Sequence, residues 1–329
     1  MHKGLFLLNP DAYAKIYGPT QQAAIAQQVD LYTAPQTAQS IAANPTLLHD
    51  AEIIFSGWGM PPMDEAFLAH APNLKLVLYG AGSIKGFTTD AFWARGIPIT
   101  SSYAANAVPV AEFALGQILL CLKQTWQHAL AIKRDGAYSK FSVAGGYGST
   151  VGIISLGMIG RMVCHHLQHF DLKVIAYDPF VTEAEATKLG VELCALEDIF
   201  QRADVVSLHA PWLAETVGMI TGAHLAALPP GATFINTARG ALVREQEMID
   251  VLQQRPDLLA VLDVTYPEPP VAGSPLYTLP NVILTPHIAG SLDAECQRMG
   301  QLVVDELRRY LAGEPLQWAI TRQQAALMA

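Results

Sequence analysis

The chain has 329 residues, enough for two ordinary domains. Hydrophobic residues make up 51% of it and charged residues 15%, a balance that excludes disorder and supplies large apolar cores. The formal net charge of −9 gives no electrostatic pull toward nucleic acid or an anionic membrane surface.

Met1-His2-Lys3-Gly4 leads into an apolar run that stops at Asn9-Pro10, too short for a signal-peptide core, so a soluble cytoplasmic chain is expected. Strand-like runs follow at 4–8, 29–32, 52–55, 74–78 and 97–100, with helical patterns between them. Five such runs predict a compact flavodoxin-like domain. A helical stretch is predicted from 108 to 123, with a continuation toward 134; its apolar run, 113–122, is far short of a membrane span and fits a buried helix. The Gly-, Ser- and Tyr-rich residues 135–150 read as an irregular surface loop.

A second α/β set begins at Val151. Its strand-like runs are 151–155, 173–177, 205–208, 233–235, 259–262 and 282–284, and six parallel strands are the count of a dinucleotide-binding sheet. After Ser291, Met299, Leu302, Val303, Leu307, Tyr310 and Leu311 mark an amphipathic helix. That helix and the tail are too small to be a domain and are expected to pack back on the first one. The boundaries expected are therefore 1–105, completed by 293–329, around an inserted domain of 106–292. Cys121, Cys164, Cys194 and Cys296 are widely spaced and read as reduced thiols. Cys164, His165, His166 and His169 share a helix, where packing and solvent explain them better than a metal does.

Ser155-Leu156-Gly157-Met158-Ile159-Gly160 lies between a strand and a helix and nearly matches the G-x-G-x-x-G phosphate turn. Gly157 would let the backbone approach a pyrophosphate, Gly160 would let the helix sit close to the strand, and the helix N-terminus would face the phosphates. Ser155 replaces the first glycine and carries a Cβ where the turn prefers none. The next strand ends in Asp178, an acid placed to accept hydrogen bonds from both ribose hydroxyls of NAD. No Arg follows to hold a 2′-phosphate, so NAD is expected rather than NADP. Asp178, His209, Asn236-Thr237, Asp263 and His287 stand at successive strand ends, where ligands bind in an open parallel sheet.

Three residues at those ends suggest chemistry. Arg239, just past a strand and before Gly240, is placed to grip a carboxylate with two prongs. Glu268 sits in Pro267-Glu268-Pro269-Pro270, where prolines stiffen the loop. His287 follows Thr285-Pro286 at the last strand end. In the first domain, Tyr79-Gly80-Ala81-Gly82-Ser83 follows a strand with small residues whose N–H groups suit a carboxylate, and Trp58, at another strand end, is expected either to wall a substrate side chain or to pack in the core.

The runs Asn236-Thr-Ala-Arg239-Gly, Asp263-Val-x-x-x-Glu268-Pro and Thr285-Pro-His287-Ile-Ala-Gly290 follow the glycine turn in that order. With Asp204-Val-Val-Ser-Leu-His209-Ala210-Pro211 and Ala105-Asn106-Ala-Val-Pro-Val-Ala-Glu112, they make the chain resemble the D-isomer-specific 2-hydroxyacid dehydrogenase family over nearly its whole length. The resemblance implies a Rossmann-type doubly wound parallel sheet inserted into a flavodoxin-like substrate domain, and a homodimer using the 108–122 helix and the arm after it. It implies NAD held by Leu156, Gly157, Met158, Ile159, Gly160, Asp178, His209, Ala210, Pro211, Thr237, Ala238, Arg239, Asp263, His287 and Gly290. Gly80, Ala81, Gly82, Trp58 and Asn106 are implied for a small 2-keto or 2-hydroxy acid. Arg239 would bind the substrate's carboxylate and keto oxygen. His287 would pass a proton to the keto oxygen as hydride arrives, and Glu268 would hydrogen-bond His287 and favour its protonated form. Reduction would then prefer lower pH. Asp263 would contact the nicotinamide side. The family's usual Asp after the glycine stretch is replaced by Ile84-Lys85. The alternative is an NAD(H)-sensing regulator of the same fold without turnover.

Overall fold

The computed structural model describes residues 1–138 and 140–328; Ser139 of the expected loop and Ala329 of the tail lie outside that description. The chain divides into two compact units, Met1–Ala107 with Ser291–Met328, and Val108–Gly290. Each crossing falls two residues from its expected place, which puts Asn106 in the first unit rather than the second. The cause is local: Asn106 Oδ1 accepts the Ser291 N–H at 2.9 Å and Ala105 packs in the first unit's core.

The first unit is built on five parallel strands: β1 (Lys3–Leu7), β2 (Asp30–Leu31), β3 (Ile53–Ser56), β4 (Leu76–Tyr79) and β5 (Ile99–Ser101). Their order, β2-β1-β3-β4-β5, is the flavodoxin-like arrangement. β3 and β4 are buried at every residue, as expected of strands covered on both faces. The amphipathic helix Cys296–Leu311 returns to this unit and seats Met299, Val303, Val304 and Leu307 against Ile16, Tyr17, Phe55 and Leu78. Buried Glu306 on that helix accepts the N–H groups of Gln317 and Trp318, and Ala319 bridges Thr100 on β5.

The second unit has seven parallel strands: β6 (Thr150–Ile154), β7 (Lys173–Tyr177), β8 (Glu192–Leu193), β9 (Val205–Leu208), β10 (Thr233–Asn236), β11 (Leu259–Leu262) and β12 (Val282–Leu284). The order β12-β11-β10-β9-β6-β7-β8 is doubly wound, reversing direction at β6. Six strands were expected. The seventh, β8, is a two-residue edge strand, too short to register as an apolar run.

The long helix also differs from expectation. It runs Tyr103–Leu122 and carries Pro109 inside it, starting five residues before the expected 108. It is long and apolar enough to cross a membrane, and half of its most apolar window is buried. Ala111, Ala114, Ile118, Cys121 and Leu122 pack against Val151 and Ile153 of β6. It ends at Leu122, and Gln124, with a φ of +47°, breaks the path before a separate helix, Thr125–Asp135. Burial pushes the Cys121 and Cys164 thiols up to about 12, which leaves both protonated and unreactive.

Candidate active site

All of the cofactor-side and reacting residues named above lie in the second unit, at or after the carboxyl ends of its strands. After β6, Ser155 takes the left-handed conformation, with φ +76°, that the first glycine of the turn would otherwise supply. Gly157 faces open space, since a Cβ built there meets nothing within 4 Å. Gly160 is closed: a Cβ would lie 2.1 Å from the Ser155 carbonyl oxygen, so the helix Met158–Leu167 packs tightly on the turn. Among the described residues no side chain caps that helix, which leaves its first N–H groups for a ligand. Asp178, after β7, is half-buried. Its Oδ2 accepts the Leu156 N–H at 2.7 Å and its Oδ1 accepts the Phe180 N–H at 2.8 Å.

Two buried polar atoms at neighbouring strand ends lack partners among the described residues: His209 Nδ1 after β9 and Thr237 Oγ1 after β10. His209 is 8% exposed; its Nε2 lies 3.0 Å from Ser207 Oγ, and burial holds its pKa down at about 4, so the ring is neutral. Native structures rarely leave such atoms unpaired, and a polar ligand over these strand ends would pair them. With the open Gly157 and the uncapped helix, this donor set fits a dinucleotide. Ala210 and Ala238 bury their side chains in the core and have only backbone to offer. The Pro211 carbonyl is already taken by Thr216 Oγ1 at 2.6 Å.

The reacting groups are held by backbone. Asn236 folds the chain after β10: its Oδ1 accepts the Ala238 N–H and its Nδ2 donates to the Arg239 carbonyl, both at 3.0 Å. Burial lowers the pKa of Arg239, and the charge of Glu268 opposes that shift. Gly240 lies against Thr265 so closely that a Cβ would be 2.0 Å from the Thr265 carbonyl carbon. Glu245 Oε2 accepts the Tyr266 N–H at 3.1 Å, a second tie to the loop carrying Glu268; burial raises the Glu245 carboxyl and that N–H opposes the rise.

Asp263 is 1% exposed. Its Oδ1 accepts the Thr285 hydroxyl at 2.6 Å and the Ile288 N–H at 2.8 Å, and its Oδ2 accepts the Ala289 N–H at 2.8 Å. The residue implied as a cofactor contact is thus committed to the segment on both sides of His287. His287, at φ +55°, donates its own N–H to the Asp263 carbonyl at 3.0 Å. Its ring Nδ1 lies 2.6 Å from Glu268 Oε1, and both side chains are nearly half exposed. These two, with Thr265, Pro269, Pro270, Tyr277 and Leu284, line a cavity of about 640 Å³.

In the first unit, the expected substrate residues divide. Trp58 is 39% exposed on a loop whose carbonyl takes the Asn9 N–H at 2.8 Å. Gly80 corrects an expectation: its N–H donates to the Ser56 carbonyl at 2.8 Å and cannot also hold a carboxylate. Ala81 is fully buried in the core. Gly82 is partly exposed, near Asn106 Nδ2. Sequence reasoning missed Glu245 as a support; it sits in a plain acidic helix start. Asn236 carried a signal, since Asn before a bend commonly bonds the backbone two residues on.

Residues 115–289 match the model of the D-isomer specific 2-hydroxyacid dehydrogenase NAD binding domain. The chain belongs to this family. It is 35% identical over 300 residues to D-3-phosphoglycerate dehydrogenase of Mycobacterium bovis, covering 90% of this chain and 56% of that one. The chain thus spans about half the length of that curated relative. Among solved structures, the apo form of Rhodotorula graminis D-mandelate dehydrogenase superposes with a TM-score of 0.80 at 25% identity, covering 98% of both chains. The NAD-complexed D-isomer specific 2-hydroxyacid dehydrogenase of Lactobacillus delbrueckii ssp. bulgaricus gives 0.80 at 21% identity, covering 97% of this chain and 100% of that one, a likeness of fold. The second unit of this family member is its NAD-binding domain, and NAD is its cofactor.

Proposed function

We propose that the chain is an NAD-dependent oxidoreductase that interconverts a small 2-keto acid and its 2-hydroxy acid, the D-isomer by family. The observation that carries this reading is the 2.6 Å contact between His287 Nδ1 and Glu268 Oε1, on loops that Asp263, Gly240 and Glu245 fix from behind. Nδ1–H directed at a carboxylate sets the tautomer and leaves Nε2 to exchange the substrate's proton. Glu268 orients the ring and balances its charge. Arg239, with its charge beside Glu268 and its fork-shaped donors, holds the substrate carboxylate. The uncapped helix Met158–Leu167 and Gly157 receive the pyrophosphate, Asp178 the adenosine ribose, and His209 and Thr237 further polar atoms of the cofactor. Bound nicotinamide supplies or receives the hydride.

The test is loss of NADH absorbance on mixing with glyoxylate, hydroxypyruvate, pyruvate and bulkier 2-keto acids. Turnover with at least one is expected; tight NADH binding without turnover on any would mark a regulator instead. We further propose that the protein is a homodimer. The arm following the helix Thr125–Asp135 exposes Tyr138, Phe141 and Tyr147, apolar surface that a second copy of the chain would cover. Light scattering should give twice the chain mass.

A further inference from the structure

The cavity beside the reacting pair has a wall of one chemical kind. Glu268 and His287 form one side of it, and Pro269, Pro270, Leu276, Val282, Leu284 and Pro286 supply most of the rest. Its volume of about 640 Å³ lies within the range of about 300–1,000 Å³ in which small ligands are usually held. Tyr277 adds an aromatic face that is 54% exposed. Its hydroxyl donates to the Pro270 carbonyl at 3.1 Å, which fixes the ring against the loop that carries Glu268.

Every hydroxyl in that wall is already spent as a donor. Thr265 Oγ1 donates to the Pro267 carbonyl at 2.9 Å, Thr285 Oγ1 to Asp263 Oδ1 at 2.6 Å, and Tyr277 to Pro270. Among the described lining residues there is no Lys, Arg, Asn or Gln, and apart from His287 the charged ones are two acids, Asp263 and Glu268. The loops that build the cavity, residues 263–274 after β11 and 285–290 after β12, contain no Lys or Arg. After β10, Arg244 is committed elsewhere: its Nε donates to the Gly218 carbonyl at 3.1 Å and its Nη1 to Glu247 Oε1 at 3.2 Å. That leaves Arg239 for the substrate's own carboxylate.

A hydroxyl group entering this space would leave water and find no donor, and a phosphate would in addition face two carboxylates. An aryl ring meets neither cost. It buries apolar surface against the prolines and leucines and lies against the fixed ring of Tyr277. We infer that this cavity is the side-chain subsite and that the preferred substrate is a 2-keto acid with an uncharged aryl side chain, not a phosphorylated or hydroxylated one. Tyr277 is its specificity-determining residue. The inference rests on the proposed function and narrows it to a substrate class.

The experiment measures kcat/KM at saturating NADH for phenylpyruvate, pyruvate, hydroxypyruvate and phosphohydroxypyruvate, on the wild-type chain and on Tyr277→Ala. Wild type should favour phenylpyruvate over each of the other three by about 10-fold or more, the discrimination an apolar pocket gives to added apolar groups. In Tyr277→Ala the ratio of phenylpyruvate to pyruvate should fall about 3- to 10-fold, the contribution of one aromatic contact. The wild-type ranking is decisive even if the variant folds poorly. A wild-type preference for pyruvate, hydroxypyruvate or phosphohydroxypyruvate would overturn the inference and leave the proposed function standing. Equal losses for both acids in Tyr277→Ala would mark a merely structural ring and overturn the assignment of the cavity. No turnover on any of the four, or on the other keto acids named above, would bring down the proposed function itself, a different failure.

Discussion

Gly240 and Thr265 meet backbone to backbone: a Cβ on the glycine would lie 2.0 Å from the Thr265 carbonyl carbon and 2.2 Å from its oxygen. The loop after β10, which carries Arg239, is thereby fixed against the loop after β11, which carries Glu268. Neither neighbour is a flexible side chain able to yield. Gly240→Ala should destabilise the chain by about 1–3 kcal/mol, the usual cost of overpacking, and should separate Arg239 from Glu268. Urea denaturation measures the first effect. A fall in kcat/KM of about 10-fold or more for keto-acid reduction measures the second, since a misplacement of about 1 Å can cost about 100-fold.

Asp263 gathers three hydrogen bonds from the His287 segment. Asp263→Asn keeps the shape but gives one position an N–H₂ group that faces an N–H donor. We predict a loss of about 2–4 kcal/mol in unfolding free energy, from charge-assisted bonds worth about 1.5–3 kcal/mol each. NADH should still bind, because the turn at Gly157 is untouched. Unchanged stability would show that the carboxylate is not what holds His287.

Glu268→Gln keeps a hydrogen-bonding group beside His287 Nδ1 and removes the charge. Reduction should lose about 10- to 100-fold in kcat, the effect of one charge-assisted bond in the transition state, with KM for the keto acid changed far less. Steady-state kinetics at saturating NADH separates the two. A rise in KM at constant kcat would place Glu268 in substrate binding instead.

Buried His209 gives a pH dependence of folding. Its folded-state value of about 4 lies below the ordinary 6.5, so the unfolded chain binds more protons between those limits. Its contribution to stability is therefore full above pH 6.5 and is lost as pH falls toward 4. About 2.5 units at 1.36 kcal/mol each amounts to about 3 kcal/mol. His209→Asn should flatten the slope of unfolding free energy against pH across that window. An unchanged slope would assign the acid lability to other groups.

The sequence made much of this site legible because a parallel sheet leaves its mark in residue type. Strands buried on both faces read as plain apolar runs, and the polar residue ending each run is where a ligand can bind; Asp178, His209 and His287 were found that way. The supports were harder to see. Glu245 reaches the Glu268 loop across space, and nothing in its own neighbourhood marks it. Asp263 read as a cofactor contact because it stands at a strand end, yet its side chain turns to the neighbouring loop. The missing N–H of Gly80 followed from a bond to Ser56, 24 residues earlier in the chain. Strand β8 escaped because two residues make no pattern.

The most direct test of the proton-transfer pair is His287→Gln in single-turnover reduction of whichever 2-keto acid the wild-type chain turns over, with NADH affinity measured in parallel. NADH binding should match wild type, while the rate of NADH oxidation falls about 10²- to 10⁴-fold, the contribution of one positioned proton donor. A variant that oxidises NADH at the wild-type rate would contradict the assignment of His287 as the group that exchanges the substrate's proton.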